Sequence, residues 1–204
     1  MLLNDKNPEH QDYDKLHKIN ATANRGADLV QRLMVFSRKG DIKPRSLNLN
    51  HEVTEAKKLL ERIIPKMIAI ELSLEGNLPV INADPVQVEQ ILLNLAINAK
   101  DAMLESGGKL TIETRNITLD EEYCRMHLQA KPGRYVMLSV EDTGHGMSQD
   151  TAQHIFEPFF TTKGVGKGTG LGLAMVYGIM KQHEGFINCY SELCLLYTSD
   201  AADE

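Results

Sequence analysis

Between residues 164 and 172 the chain reads GVGKGTGLG, with a glycine at every second position, and it passes directly into the apolar run LAMVYGIMKQHEG. A backbone so bare cannot hold itself by side-chain contacts, so the loop and the helix start after it must be shaped by what they close upon. Glycines let backbone N–H groups approach an anion, and a helix beginning near Gly170 aims its positive end the same way. Counting excludes two familiar motifs of this kind. The dinucleotide fingerprint needs glycines at i, i+2 and i+5, and the last position holds Thr169, Leu171, Leu173 or Met175 in every register. The phosphate loop needs a glycine at position 161 and Ser or Thr after Gly166-Lys167, where the chain has Thr161 and Gly168. On this stretch alone, an anion site and a flexible loop before an ordinary core helix stand level.

Charge narrows the choice of ligand. The 204 residues suffice for one sizeable domain and an appendage, and they carry a net charge of -6 with a pI near 5.7. No polybasic footprint marks a nucleic-acid or anionic-membrane partner, so a polyanionic ligand would need a metal ion and a few placed cations. No apolar run approaches the length of a membrane span, and MLLNDKNPEHQ lacks a signal peptide's basic start and apolar centre. Cys124, Cys189 and Cys194 lie far apart without His at ligand spacing, which reads as free thiols in a reducing cytoplasm.

Three stretches follow from periodicity. Leu16, Ile19, Ala23, Ala27, Val30, Leu33 and Phe36 lay one apolar stripe along a helix over about residues 13–39, and Gly40 and Pro44 end it. Such a helix must bury its stripe on a partner helix, from a second subunit or from sequence upstream. Residues 46–193 then mix elements. NHEVTEAKKLLERII predicts a helix, MIAIELSL a strand, and DPVQVEQILLNLAINAKDAMLES a helix capped by Asp84 with Pro85 at its first position. Strands are predicted at KLTIETRNITL, RYVMLSVED and GFINCYSE, with a helix after Gly170. This order predicts an α+β fold with helices on one face of a mostly antiparallel or mixed sheet. From Cys194 the tail CLLYTSDAADE resembles a translated sequencing adapter, so residues 194–204 are expected to be non-native.

Two motifs carry candidate chemistry. In NLAINAKDAM, Asn94 and Asn98 are four apart and share a helix face, with Asp101 one turn beyond. Amides among apolar neighbours need partners: a magnesium ion is one, and other core groups are another. In VMLSVEDTGHGM, Asp142 ends a strand where Gly144 and Gly146 permit close approach, and its carboxylate could accept a hydrogen bond from an adenine amino group, which guanine lacks. Asp-x-Gly-x-Gly is also a common turn.

In order, NLAINAKDAM, DTGHGM, IFEPFFTTK and GKGTGLGL resemble the N box, first glycine box, F box and second glycine box of sensor histidine kinases, in the superfamily of gyrase, Hsp90 and MutL. The resemblance covers roughly residues 13–193 and is nearest to the nitrogen-regulation and PAS-linked subgroup. It implies a two-layer α/β sandwich of the Bergerat type, preceded by one long amphipathic helix: residues 13–45 would be the second helix of a dimerisation hairpin and its linker, and 46–193 the ATP-binding catalytic domain. It also implies ATP and Mg²⁺. Asn98 would hold the metal bridging the phosphates, and Asn94 would orient water or metal. Lys100 and Asp101 lie at the helix's polar end, with the one facing the phosphates left open. Asp142 would read adenine, with Gly144, Gly146 and Met147 shaping the base pocket. Phe156, Phe159 and Phe160 would anchor a mobile lid to which Lys163 adds a cation. Gly168, Thr169, Gly170, Leu171 and Gly172 would hold the triphosphate through backbone N–H groups.

The same comparison finds no phosphoacceptor. His51-Glu52 follows the hairpin helix and lacks the proline motif, and His17 is followed by Lys18. His127, His145, His154 and His183 show no ligand or acceptor pattern, so no catalytic residue is assigned. The expected function is therefore the ATP-binding part of a histidine kinase. Its parent would pass a phosphoryl group to a response-regulator aspartate, work as a homodimer through the N-terminal helix, and act in the cytoplasm whether or not it is membrane-anchored. The alternatives are an ATP-hydrolysing clamp, whose glutamate base is replaced by Asn94, and a nucleotide-binding or dimerisation module without catalysis.

Overall fold

The computed structural model describes residues 43–127, 130–164 and 168–193. The chain divides into two units, Met1–Asp41 and Ile42–Glu204. The helix expected over residues 13–39 and the tail 194–204 lie outside the described residues.

Helix α1, Leu49–Ile63, starts where the Asn48 side chain accepts the Asn50 N–H and shares that of His51 with the Asn48 carbonyl. His51 is an exposed residue of that first turn. Leu49, Val53, Ala56 and Leu60 recur at helical spacing and are buried. Helix α2, Pro85–Ala102, is capped by Asp84 with proline at its start, as its sequence predicts. It buries Val88, Leu92, Ala96 and Ala99 toward α1 and the sheet, while Ile91 turns to the last helix.

The main sheet has three strands in the order β2 (Ile68–Leu74), β4 (Gly108–Leu119), β5 (Gly133–Asp142), numbered so that β1 is Arg45–Leu47 and β3 is Ile81–Ala83. Strands β2 and β4 run parallel, Ile68 opposite Gly108, because the chain crosses through α2 between them. Strands β4 and β5 are antiparallel, with Leu110 opposite Asp142 and Leu119 opposite Gly133. Alternation sends Leu110, Ile112 and Thr114 of β4 and Val136, Leu138 and Val140 of β5 to the helical side. Burying side chains such as Leu60, Leu92, Leu110 and Ile112 contributes about 1.5–3 kcal/mol each. Helix α5, Gly172–Gln182, packs Met175, Val176 and Ile179 on Ile91. Leu138 joins both apolar clusters, so the three helices line one face of a mixed sheet.

Four short elements escaped the periodicity: β1 and β3, which pair antiparallel, and the one-turn helices α3 (Glu121–Met126) and α4 (Gln149–His154). Two expectations need correction. Helix α2 stops at Ala102, four residues before Ser106, because the chain must turn at Met103 to enter β4. Gly107 and Gly108 take φ of 66° and 145° there, and a Cβ on Gly108 would lie 2.4 Å from Thr143 Oγ1. The strand expected in GFINCYSE does not form, since residues 185–193 join no ladder. A strand needs a hydrogen-bonding neighbour as well as a suitable pattern. Here side chains hold the segment, with Phe186 edge-on to Tyr135 at 5.8 Å and Ile187 against the α2/α5 cluster.

Candidate functional site

Three loops converge on the second half of α2. The start of α5 meets it at Asn94 and Asn98: a Cβ on Gly172 would lie 3.1 Å from Asn94 Oδ1 and 3.8 Å from Asn98 Nδ2. The loop after α4 meets it one turn later, where Lys163 Nζ donates to Asp101 Oδ2 at 2.5 Å. The turn after β5 meets its last residue, since the His145 N–H reaches the Ala102 carbonyl at 3.3 Å and a Cβ on Gly144 would strike Ala102 Cβ at 2.6 Å. Glycine is needed at position 144, where a side chain would hold the turn off the helix.

The amides of α2 differ in their partners. Asn94 Nδ2 donates to the Gln90 carbonyl at 2.8 Å, which turns its oxygen toward Gly172. The Asn98 side chain, half-buried, makes no hydrogen bond among the described residues. Lys100 lies 3.7 Å from Asp101 Oδ1, so of the adjacent pair it is Asp101 that engages the loop cation. Asn94 Oδ1, Asn98 and the Asp101 carboxylate offer oxygen donors on one half-buried face. That donor set fits a hard divalent cation shared with phosphate oxygens.

Asp142 lies exposed at the end of β5, its Oδ1 accepting the Gly144 N–H at 2.9 Å. Gly146 follows with φ 67°, and the Met147 N–H donates to Ser191 Oγ at 2.8 Å. Phe156 packs near Tyr177 of α5, with ring centroids 5.7 Å apart, and Phe160 lies 5.6 Å from His154. Phe159 is exposed in a left-handed conformation, φ 70°, and its N–H donates to the Gly170 carbonyl at 2.9 Å. Gly170 shares that conformation, φ 63°, and a Cβ there would fall 2.3 Å from the Phe159 carbonyl carbon. Gly168 abuts Thr161 and Lys163, and Thr169 is exposed beside it. Leu171 is buried, so only its backbone faces the loop. The backbone clasp between Phe159 and Gly170 is invisible to pattern reading, as is the Ser191 contact, because each joins residues with no common periodicity.

Two histidines have partners within the fold. His183 closes α5, its Nε2 accepting the Asp84 N–H at 3.1 Å while Nδ1 faces the Ile179 carbonyl. His154 pairs with Glu157 at 2.7 Å, and that hydrogen bond and charge hold its imidazole above the ordinary value. Burial, and secondarily the Asp142 charge, push the Cys189 thiol up. Cys124 and Cys189 are free thiols. No helix among the described residues is long and apolar enough to cross a membrane.

A family model described as "Histidine kinase-, DNA gyrase B-, and HSP90-like ATPase" matches residues 83–199. The sensor kinase CckA of Brucella abortus (strain 2308) is 44% identical over 95% of this chain and 20% of its own length. The sensory histidine kinase/phosphatase NtrB of Azospirillum brasilense is 31% identical over 83% of this chain and 42% of its own. The chain thus spans about a fifth to two fifths of the curated relatives it matches. Among solved structures, histidine kinase ThkA in complex with response regulator protein TrrA aligns with a TM-score of 0.62 at 25% identity, over 91% of this chain and 49% of that one. Full-length ShkA in complex with AMPPNP aligns at 0.65 and 24% identity over 88% of this chain and 36% of that one, a likeness of fold. Because the family model covers more than half of its residues, this chain belongs to the histidine kinase-, DNA gyrase B- and HSP90-like ATPases.

Proposed function

We propose that residues 46–193 are the ATP-binding catalytic part of a sensor histidine kinase, preceded over residues 13–45 by the second helix of a dimerisation hairpin. The observation that carries this reading is the convergence of two glycine loops and a lysine-bearing loop on the amide face of α2. Asp142 accepts the adenine amino group, and Gly144, Gly146 and Met147 frame the base. Backbone N–H groups from Gly168 to Gly172 meet the phosphates at the start of α5, where the helix dipole adds to them. Asn98 would hold Mg²⁺, with Asn94 orienting water or metal, and the ion would supply charge neutralisation at the phosphates. The Lys163 cation, paired with Asp101, would exchange that carboxylate for a phosphate when nucleotide binds.

The reaction is transfer of the ATP γ-phosphoryl to a histidine of the hairpin: the bond from phosphorus to the β–γ bridging oxygen breaks, a P–N bond forms, and ADP leaves. Positioning and electrostatics do most of this work. The acceptor histidine belongs to the first hairpin helix of the parent, and a response-regulator aspartate receives the phosphoryl next. The relatives named sensor kinases support this reading, as does ThkA, whose structure is a complex with a response regulator. A parent homodimer assembled through the N-terminal helix follows from the same reading.

Radiolabelled Mg-ATP tests it. With a hairpin carrying the acceptor histidine supplied in trans, label should move to that hairpin. Steady phosphate release without transfer would instead identify a hydrolytic clamp, and binding with neither would identify a non-catalytic module. Asp142→Asn should weaken Mg-ATP binding by more than about tenfold, the cost of a lost charge-assisted hydrogen bond. Undiminished binding would refute the assignment of the base site.

A further inference from the structure

The turn after β5 does not owe its shape to its own sequence alone. Asp142 Oδ1 fixes the entry through the Gly144 N–H, and the His145 N–H anchors the middle on Ala102. The exit rests on the segment after α5. There Ser191 Oγ accepts the Met147 N–H at 2.8 Å, 44 residues away in sequence. A Cβ on Gly146 would fall 1.7 Å from the Glu192 carbonyl oxygen, so the two stretches lie backbone to backbone. Phe186 on Tyr135 and Ile187 in the α2/α5 cluster anchor the segment where it leaves α5.

We propose that Ser191 is a positioning residue of the nucleotide site: its hydroxyl holds the Met147 N–H, and with it the Gly144–Met147 turn, in the shape that lets Asp142 separate adenine from guanine. This inference rests on the function proposed above. A hydroxyl suits the task because it accepts from Met147 and keeps its own proton for a further acceptor. An alanine would leave the half-buried Met147 N–H without a partner, and the turn would shift to satisfy it. Discrimination suffers more than affinity, since it depends on where the carboxylate meets the amino group, whereas the phosphates are gripped elsewhere.

The test compares Mg-ATP and Mg-GTP dissociation constants for the full chain and for Ser191→Ala and Ser191→Thr, alongside hydrogen exchange at the Met147 amide. Ser191→Ala should lower the GTP-to-ATP ratio of dissociation constants by about three- to tenfold, one hydrogen bond's worth, and should speed Met147 exchange. Ser191→Thr, which retains the hydroxyl, should restore both. A merely structural role would lower the melting temperature without moving the ratio. Selective binding by the unaltered chain together with an unchanged ratio in Ser191→Ala overturns this inference alone. Failure of the unaltered chain to bind Mg-ATP overturns the reading of the site and this inference with it. Should the alanine variant not fold, Met147 exchange in the unaltered chain decides: protection supports the contact, and solvent-like exchange overturns it.

Discussion

At the first turn of α2, Asp84 commits its polar atoms to the protein. Its Oδ1 accepts the Val86 N–H, its Oδ2 the Lys43 N–H and its carbonyl the Val88 N–H, while its own N–H goes to His183. About four turns further along the same helix, the Asn98 amide has no partner among the described residues. Asp84 and Asn98 therefore play opposite parts on one helix. Where the fold supplies every partner, a polar residue fixes geometry; where it leaves a half-buried amide free, a ligand is the partner to look for. The body between them, Val88 to Ala99, is ordinary apolar core that keeps the two ends in register.

The contrast can be broken in three places. Leu92→Ala, between the ends and fully buried, should cost about 2–5 kcal/mol in denaturant unfolding and degrade both ends together. A cost under about 1 kcal/mol would mean that α2 is not the spine described here. The ends should then separate when Asn98→Ala is set against Asp84→Ala. Asn98→Ala should shift unfolding by no more than about 0.5 kcal/mol yet abolish the magnesium dependence of nucleotide binding. Asp84→Ala should lose about 1–2 kcal/mol of stability, from a side-chain cap on Val86 that also holds the Lys43 N–H, while the chain that still folds binds as before. The reverse assignment of costs would dismantle the comparison. The smallest effect lies outside α2. His154 is raised by Glu157, so the pair adds stability fully present below the unfolded imidazole value of 6.5 and lost as pH rises through the higher folded value. An NMR titration of His154 should show the raised midpoint, and Glu157→Gln should return it toward 6.5.

Legibility followed range. Helices α1 and α2, the helix after Gly170 and the three long strands were all visible, because each repeats a local period over seven residues or more. The Asp84-Pro85 start was equally plain, since a cap and its first turn are sequence neighbours. Strands β1 and β3 were not visible, being three residues each and meaningful only as a pair whose middle residues, Ser46 and Asn82, are 36 positions apart. The pattern in GFINCYSE misled for the same reason: alternation says which face a side chain prefers, and nothing about whether a backbone neighbour is there to bond.

The candidate site divides along that line. The sequence by itself determined the chemical inventory, two amides one turn apart, a carboxylate closing a strand, a lysine after paired phenylalanines and a run of alternate glycines, because residue type and short spacing are written directly in it. Only the tertiary structure decided that Lys163 pairs with Asp101 and that the Met147 N–H meets Ser191. Those choices join residues 44 to 62 positions apart. They depend on the directions in which packed helices and strands aim their side chains, and no local period carries that information.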